Sequence, residues 1–157
     1  MFLGESRHPV DAKHRVFLPK KFHQLLPVDG DGNRIAVIAR GFGERACLDL
    51  FTIPGFERAT ARMNTDAFTG PDQRRLQRIY FSNTSQVTLD ASGRLLLPEK
   101  LRELAGIERE VVFVGVMDRI EIWSAEQWDE FEQANEGKYE EVAGVLRESH
   151  NGTEAEA

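Results

Sequence analysis

Apolar and polar residues alternate on either side of a short turn, and the chain does this twice. From Gln86 to Asp90, Val87 and Leu89 alternate with Gln86, Thr88 and Asp90, the two-residue period of a strand with one buried face. Ala91-Ser92-Gly93 supplies turn residues, and Gly93 can adopt a positive φ without a Cβ clash. Arg94-Leu95-Leu96-Leu97 then resumes an apolar strand, so the segment predicts strand–turn–strand. Pro98 holds Leu97 extended and can open a helix. Leu101 and Leu104 lie three apart on one face of that helix, and Gly106 is placed to end it.

The same plan stands earlier in the chain. Val10-Asp11-Ala12-Lys13-His14-Arg15-Val16-Phe17-Leu18-Pro19 matches Leu89-Asp90-Ala91-Ser92-Gly93-Arg94-Leu95-Leu96-Leu97-Pro98 at a constant offset of 79 residues. Helical Phe22, Leu25 and Leu26 follow Pro19, and Pro27 stops them. Each copy continues with two apolar strands, Ile35–Ile38 and Leu48–Phe51 in the first, Val111–Val114 and Ile120–Trp123 in the second. A helical stretch bearing Phe56 or Trp128 closes each copy. Both halves therefore read strand–turn–strand–helix–strand–strand–helix. A repeat this long is a duplicated small domain and not a solenoid unit.

Between the halves, Pro71–Phe81 predicts a helix with a Pro start and an early Asp. Leu76, Ile79 and Tyr80 face one side of it, and Arg74 and Arg78 share another. The expected organisation is a first domain at 1–65, a helical linker at 66–82, a second domain at 83–135, and an acidic helix end with a frayed polar tail at 136–157. The fold class is α+β.

Composition is that of an ordinary soluble globular protein. No apolar run reaches the ~20 residues of a membrane span, and no signal-peptide pattern stands at the start, so a cytoplasmic location is expected. The lone Cys47, in an apolar stretch, reads as a small buried hydrophobe. The net charge of −6 is unevenly spread. Residues 1–25 carry five basic and two acidic side chains, residues 71–109 seven and five, and residues 118–157 three and twelve. The repeat units are thus locally basic, which suits an anionic partner as well as it suits a solvated surface with an acidic tail.

The candidate chemistry lies in the two Asp-x-x-x-Arg turns. An Arg at the base of a hairpin turn can aim its planar fork at guanine O6/N7 or at a phosphate. The Asp four residues earlier can hold that fork and accept nearby backbone N–H groups. Asp11–Arg15 and Asp90–Arg94 can equally be cross-turn ion pairs that only close hairpins. Lys13, His14, Lys20 and Lys21 make the first copy the more basic, whereas the second has Ser92, Gly93 and Glu99 at the positions of Lys13, His14 and Lys20. Arg74 and Arg78 can meet phosphate or pair with acids of the C-terminal segment.

The two Asp-x-x-x-Arg phrases with their Leu-Pro steps resemble the MraZ family, bacterial transcriptional regulators built from two AbrB/SpoVT-type units. Arg74-Arg75-Leu76-Gln77-Arg78, Val114-Gly115, Ile120-Glu121-Ile122-Trp123 and the opening Met1-Phe2-Leu3-Gly4 add to the likeness, which runs to about Phe131. His14 departs from the family's preference for Gly before the Arg. His is among the non-Gly residues that tolerate a positive φ.

The resemblance implies duplicated AbrB-like swapped-hairpin β-barrel units with short helices and a pseudo-two-fold axis within one chain. It further implies a ring-shaped homo-oligomer, associated with the nucleoid, that binds G-rich direct repeats in double-stranded promoter DNA. The implied target is the division and cell-wall gene cluster, including the regulator's own gene, and the usual effect is repression. Under this reading Arg15 and Arg94 recognise DNA, with Lys13, His14, Lys20 and Lys21 around them. Asp11, Asp90 and Gly93 position the turns.

Two other functional classes compete with this one. His8, His14, His23 and His150 show no metal-ligand spacing, and neither a phosphate loop nor a nucleophile elbow is present, so no enzyme, metal, cofactor, small-molecule substrate or membrane partner is expected. An antitoxin-like or adaptor module of the AbrB superfamily is the remaining alternative, and salt-dependent DNA binding separates it from the main reading.

Overall fold

A computed structural model describes residues 1–43, 46–63 and 65–149; His150 and most of the polar tail lie outside these. The first copy contributes β1 (Phe2–Pro9), β2 (Arg15–Phe17), α1 (Lys20–His23), β3 (Ile35–Arg40), β4 (Leu48–Phe51) and α2 (Ile53–Thr60). Helix α3 (Pro71–Phe81) follows. The second copy contributes β5 (Ser85–Thr88), β6 (Arg94–Leu96), α4 (Glu99–Leu104), β7 (Glu110–Met117), β8 (Ile120–Ser124) and α5 (Ala125–Asn135), after which comes α6 (Tyr139–Ala143). The fold is α+β, with antiparallel pairing throughout and short helices. Both strand–turn–strand segments and the 71–81 helix stand where the apolar pattern puts them. Among the described residues no helix is long and apolar enough to cross a membrane.

Six strands form one sheet in the order β1-β7-β8-β4-β3-β5, and β2 pairs with β6 in a separate ribbon. The order is palindromic when the copies are exchanged: β1 for β5, β7 for β3, β8 for β4. The register follows the same rule. In the ribbon Val16 faces Leu95, its partner at the 79-residue offset, while Arg15 faces Leu96 and Phe17 faces Arg94. In the sheet Asp49 faces Glu121 at the centre. The outer strands cross between copies, β1 pairing with β7 and β5 with β3.

The core lies between ribbon and sheet. Val16, Leu18, Leu95 and Leu97 meet Ala36, Ile38, Leu48, Leu50, Phe113, Ile120 and Ile122, with Phe22 and Leu101 from the short helices closing the sides. Gly115 explains one sequence feature. A Cβ there would run into the backbone of Phe2 and Leu3, so only Gly lets β1 lie this close to β7. Gly106 ends α4 at φ 64°, with the Ile107 N–H bonded back to the Arg102 carbonyl.

One expectation needs correction. The strands do not close into a barrel: among the described residues the sheet is open, with β1 and β5 at its edges. The three-residue ribbon strands are too short to extend the ladder, and they cover the sheet through side chains instead. On α3, Tyr80 is buried but Leu76 and Ile79 are 42% and 46% exposed. A helical stripe predicts which residues share a face, not how much of that face a neighbour covers.

Contact density divides the chain into one unit over Met1–Ala125, which holds the strands of both copies, and a second from Glu126 onward. In the second unit Trp128 and Phe131 stack at 5.2 Å.

Candidate nucleic-acid interface

Both turns are built on the same hydrogen bonds. In the first, Asp11 Oδ1 accepts the N–H groups of Lys13 and Arg15, each at 2.9 Å, and Oδ2 accepts Arg15 Nε at 2.9 Å. In the second, Asp90 Oδ1 accepts the N–H of Ser92 at 3.0 Å and that of Arg94 at 2.9 Å, and Oδ2 accepts Arg94 Nε at 2.7 Å. The Asp11 and Arg15 backbones close the hairpin through Asp11 N–H to Arg15 C=O at 2.9 Å, and Asp90 and Arg94 repeat this at 3.0 Å. A short polar side chain that accepts backbone N–H groups two and four residues on is what favours Asp at such a turn. The backbone N–H of Arg15, and then its side chain, holds the Asp11 carboxyl below its ordinary pKa, and Arg94 does the same for Asp90.

The position before each Arg must be left-handed. Gly93 takes φ 83° at no steric cost, and His14 takes φ 61°. His14 therefore accepts backbone strain to form the turn that Gly93 forms freely. The two turns are tied across the ribbon. Leu18 N–H donates to the Gly93 carbonyl at 3.1 Å, and Leu97 N–H donates to the His14 carbonyl at 3.0 Å.

The ribbon also sets the direction of the arginines. Val16 and Leu95 point into the core, so by alternation Arg15, Phe17, Arg94 and Leu96 share the outer face. Phe17 and Leu96 are 52% and 57% exposed there, which puts two apolar side chains beside the two arginines. The Arg94 guanidinium carbon lies 5.8 Å from the Phe17 ring centre, a cation–π contact between the copies. Each Arg uses its Nε on an Asp, which leaves the Nη edge of the fork pointing away from that carboxylate. Phe17 and Leu96 were not picked out as site residues from the sequence. The signal was there, since the alternation Arg15-Val16-Phe17 already puts Phe17 beside Arg15.

Lys13 and His14 are exposed at the tip of the first turn. Lys20 and Lys21 are exposed on α1, with Lys21 Nζ 4.9 Å from the Phe22 ring centre. Helix α1 lies beside the other copy's turn: a Cβ built on Gly93 would meet the His23 ring at 3.5 Å. Its neighbouring lysines thus stand on the element that flanks the Arg94 turn. Arg74 and Arg78 are exposed on α3, where Arg75 pairs with Asp72 at 2.7 Å. Among the described residues no ion pair engages Arg74 or Arg78, which stand on α3 and not on the ribbon.

Comparison with known proteins agrees in direction. Residues 80–144 match a family model described as "MraZ protein, putative antitoxin-like". A protein of Pelotomaculum thermopropionicum named transcriptional regulator MraZ is 36% identical over 143 residues, covering 91% of this chain and 93% of its own length. Proteins of the same name from Clostridium beijerinckii and Thermoanaerobacter pseudethanolicus are 38% and 35% identical. They cover 86% and 94% of this chain, and 89% and 98% of their own lengths.

Proposed function

Because the chain belongs to the MraZ family of transcriptional regulators, we propose that it regulates transcription by binding double-stranded promoter DNA through the outer face of its β2–β6 ribbon. It is not an enzyme. The observation that carries this reading is the pairing of Arg15 and Arg94 on one face, each braced by a carboxylate through Nε. A braced, planar donor fork suits bidentate recognition of guanine O6/N7. A pair that merely closed a surface hairpin would be worth ~0–1 kcal/mol, and would not call for a second copy on the same face.

In this reading residues 1–65 and 83–135 are the two copies of a swapped-hairpin DNA-binding unit, joined by the 66–82 linker. The palindromic strand order supports it, since each copy's outer strand completes the other copy's part of the sheet. Arg15 and Arg94 read bases. Lys13, His14, Lys20 and Lys21 meet phosphates and steer the approach. Asp11, Asp90 and Gly93 hold the turns in shape. The target is a set of G-rich direct repeats upstream of the protein's own gene in the division and cell-wall cluster, and the effect is repression. A ring of subunits repeats the ribbon in space, so weak half-sites gain affinity by effective concentration when repeat spacing matches. Such a protein works in the cytoplasm, at the nucleoid.

The test is a mobility-shift titration on that upstream DNA with wild type and a folded, correctly assembled Arg15→Ala protein. Arg15→Ala is expected to lose ~1–3 kcal/mol per engaged guanine contact, amplified across the ring. Equal binding at physiological salt sinks the ribbon reading and moves attention to Arg74 and Arg78. Light scattering checks the assembly, and a monomer at micromolar concentration contradicts the ring. The antitoxin-like wording of the matching family model favours a second reading, a protein-partner module. It predicts no salt-dependent DNA binding.

A further inference from the structure

On the sheet face away from the ribbon, Asp49 occupies the centre of β4 directly across from Glu121. Its side chain is only 8% exposed. Its Oδ1 has no hydrogen-bond partner, because Arg119 Nε stands 3.5 Å away, too far for a good hydrogen bond. The same guanidinium is shared, with Nη1 at 3.0 Å from Asp118 and Nη2 at 3.5 Å from Glu121. Three carboxylates therefore face one cation. A buried carboxylate left short of partners is costly, and burial pushes the Asp49 carboxyl up to about 6 despite Arg119.

This acid forms the floor of a cleft of about 210 Å³. Its walls are Phe42, Phe51, Tyr80 and Met63, with Phe42 and Tyr80 stacked at 5.5 Å. The space is smaller than the ~300–1,000 Å³ of sites for drug-sized ligands. Aromatic faces carry negative potential and attract cations, above all in a dry site. Charge and walls ask for the same guest, one with a positive head for Asp49 and an apolar body for the rings.

We propose that this cleft binds a small organic cation, a primary ammonium on an apolar or aromatic body, with Asp49 as its counter-ion. A metal ion fits less well. Cys47 Sγ, Asp49 and Glu121 offer ligand atoms within 4.8 Å of one another, but Cys47 does not line the cleft, which leaves a metal there two carboxylates and no third ligand from this group. The aromatic walls supply no metal ligand. Tyr80 belongs to α3, the helix that carries Arg74 and Arg78, so a guest packed on Tyr80 bears on that helix.

The experiment is calorimetric titration of the full chain with phenethylammonium chloride, with neutral phenethyl alcohol and with zinc chloride. Phenethylammonium is expected to bind one site per chain, at least about tenfold tighter than the alcohol. Asp49→Asn is expected to abolish that preference. Phe42→Ala, at a residue 67% exposed and so tolerant of truncation, is expected to weaken the ammonium several-fold with the fold intact. The proposal is overturned by equal affinity for ammonium and alcohol, or by no ammonium heat up to about 10 mM. Unchanged binding in Phe42→Ala also overturns it. So does stoichiometric zinc binding that is lost in Cys47→Ser when the amine does not bind.

Discussion

Arg94 of the second copy rests on Phe17 of the first. The two are cross-strand partners in the β2–β6 ribbon, with the guanidinium carbon 5.8 Å from the ring centre. The equivalent contact in the other direction is Arg15 against Leu96, an aliphatic side chain with no π face. The two arginines are thus held alike by Asp but supported differently by their neighbours.

Phe17→Ala is therefore expected to act on one arginine only. Loss of an exposed cation–π contact is worth about 0.5–1 kcal/mol, and Phe17 is half exposed, so the fold should tolerate the change. DNA affinity is expected to fall by that amount. In Arg94→Ala the same substitution should have no further effect. A double-mutant cycle measured by DNA titration checks this, and simple additivity contradicts it.

Lys20→Ala and Lys21→Ala are expected to weaken binding to specific and random DNA alike. Each lost phosphate contact should reduce the slope of log affinity against log salt by about 1. Titrations at several salt concentrations on both DNAs give the slopes. A lysine whose loss relaxes sequence preference instead would be reading bases.

His14→Gly is expected to raise stability by up to about 1 kcal/mol, because it relieves a left-handed non-Gly residue. That corresponds to a melting-temperature rise of about 2–4 °C for a domain of this size. The gain is reduced to the extent that Gly loosens the unfolded chain. Gly93→Ala is expected to move stability down by a similar amount, since φ there is 83°. Thermal melts of the two variants decide it, and a destabilised His14→Gly protein would assign the imidazole a structural contact.

Asp49 is expected to make stability fall as pH rises from about 4 to 6. Its folded pKa of about 6 lies above the ordinary 3.8, so the folded state holds a proton more tightly than the unfolded chain. Its contribution is complete below the ordinary value and is lost as pH rises through 6. The shift corresponds to something on the order of 2–3 kcal/mol. Asp11 and Asp90 act in the opposite sense. Their folded pKa values are depressed, so their contributions are present above the ordinary carboxylate value and are lost as pH falls through the folded one. Urea melts between pH 4 and 8 should show the Asp49 slope in wild type and a flatter curve in Asp49→Asn.

The local pattern made much of this legible. Alternation places the hairpins, Pro and Gly mark their ends, and the repeat offset alone pairs Asp11 with Asp90. The site's outer face was partly legible, since the period of two puts Phe17 next to Arg15. What the sequence did not carry was long-range pairing. Nothing in Phe2–Pro9 says that it lies against β7 and not against its own copy's strands. Asp49 alternates with Leu48 and Leu50 as an exposed residue would, yet Phe51, Tyr80 and Arg119 join it around one cleft and bury it. Leu76, Ile79 and Tyr80 share a face of α3, yet only Tyr80 is buried there. In each case local periodicity is correct, and the covering partner, fixed by tertiary packing, decides the outcome.

Joining the two halves of the ribbon in one chain has a consequence for the symmetry of the DNA that the proposed function calls for. A head made of two identical chains must present the same residue on both sides of its axis, and it matches inverted sequences. Here one side has His14 and Lys20 where the other has Gly93 and Glu99, and Phe17 supports one arginine where Leu96 supports the other. Such a head has a front and a back. An operator repeated in one orientation, head to tail, matches that polarity, whereas a palindrome would leave one half-site facing the wrong partner.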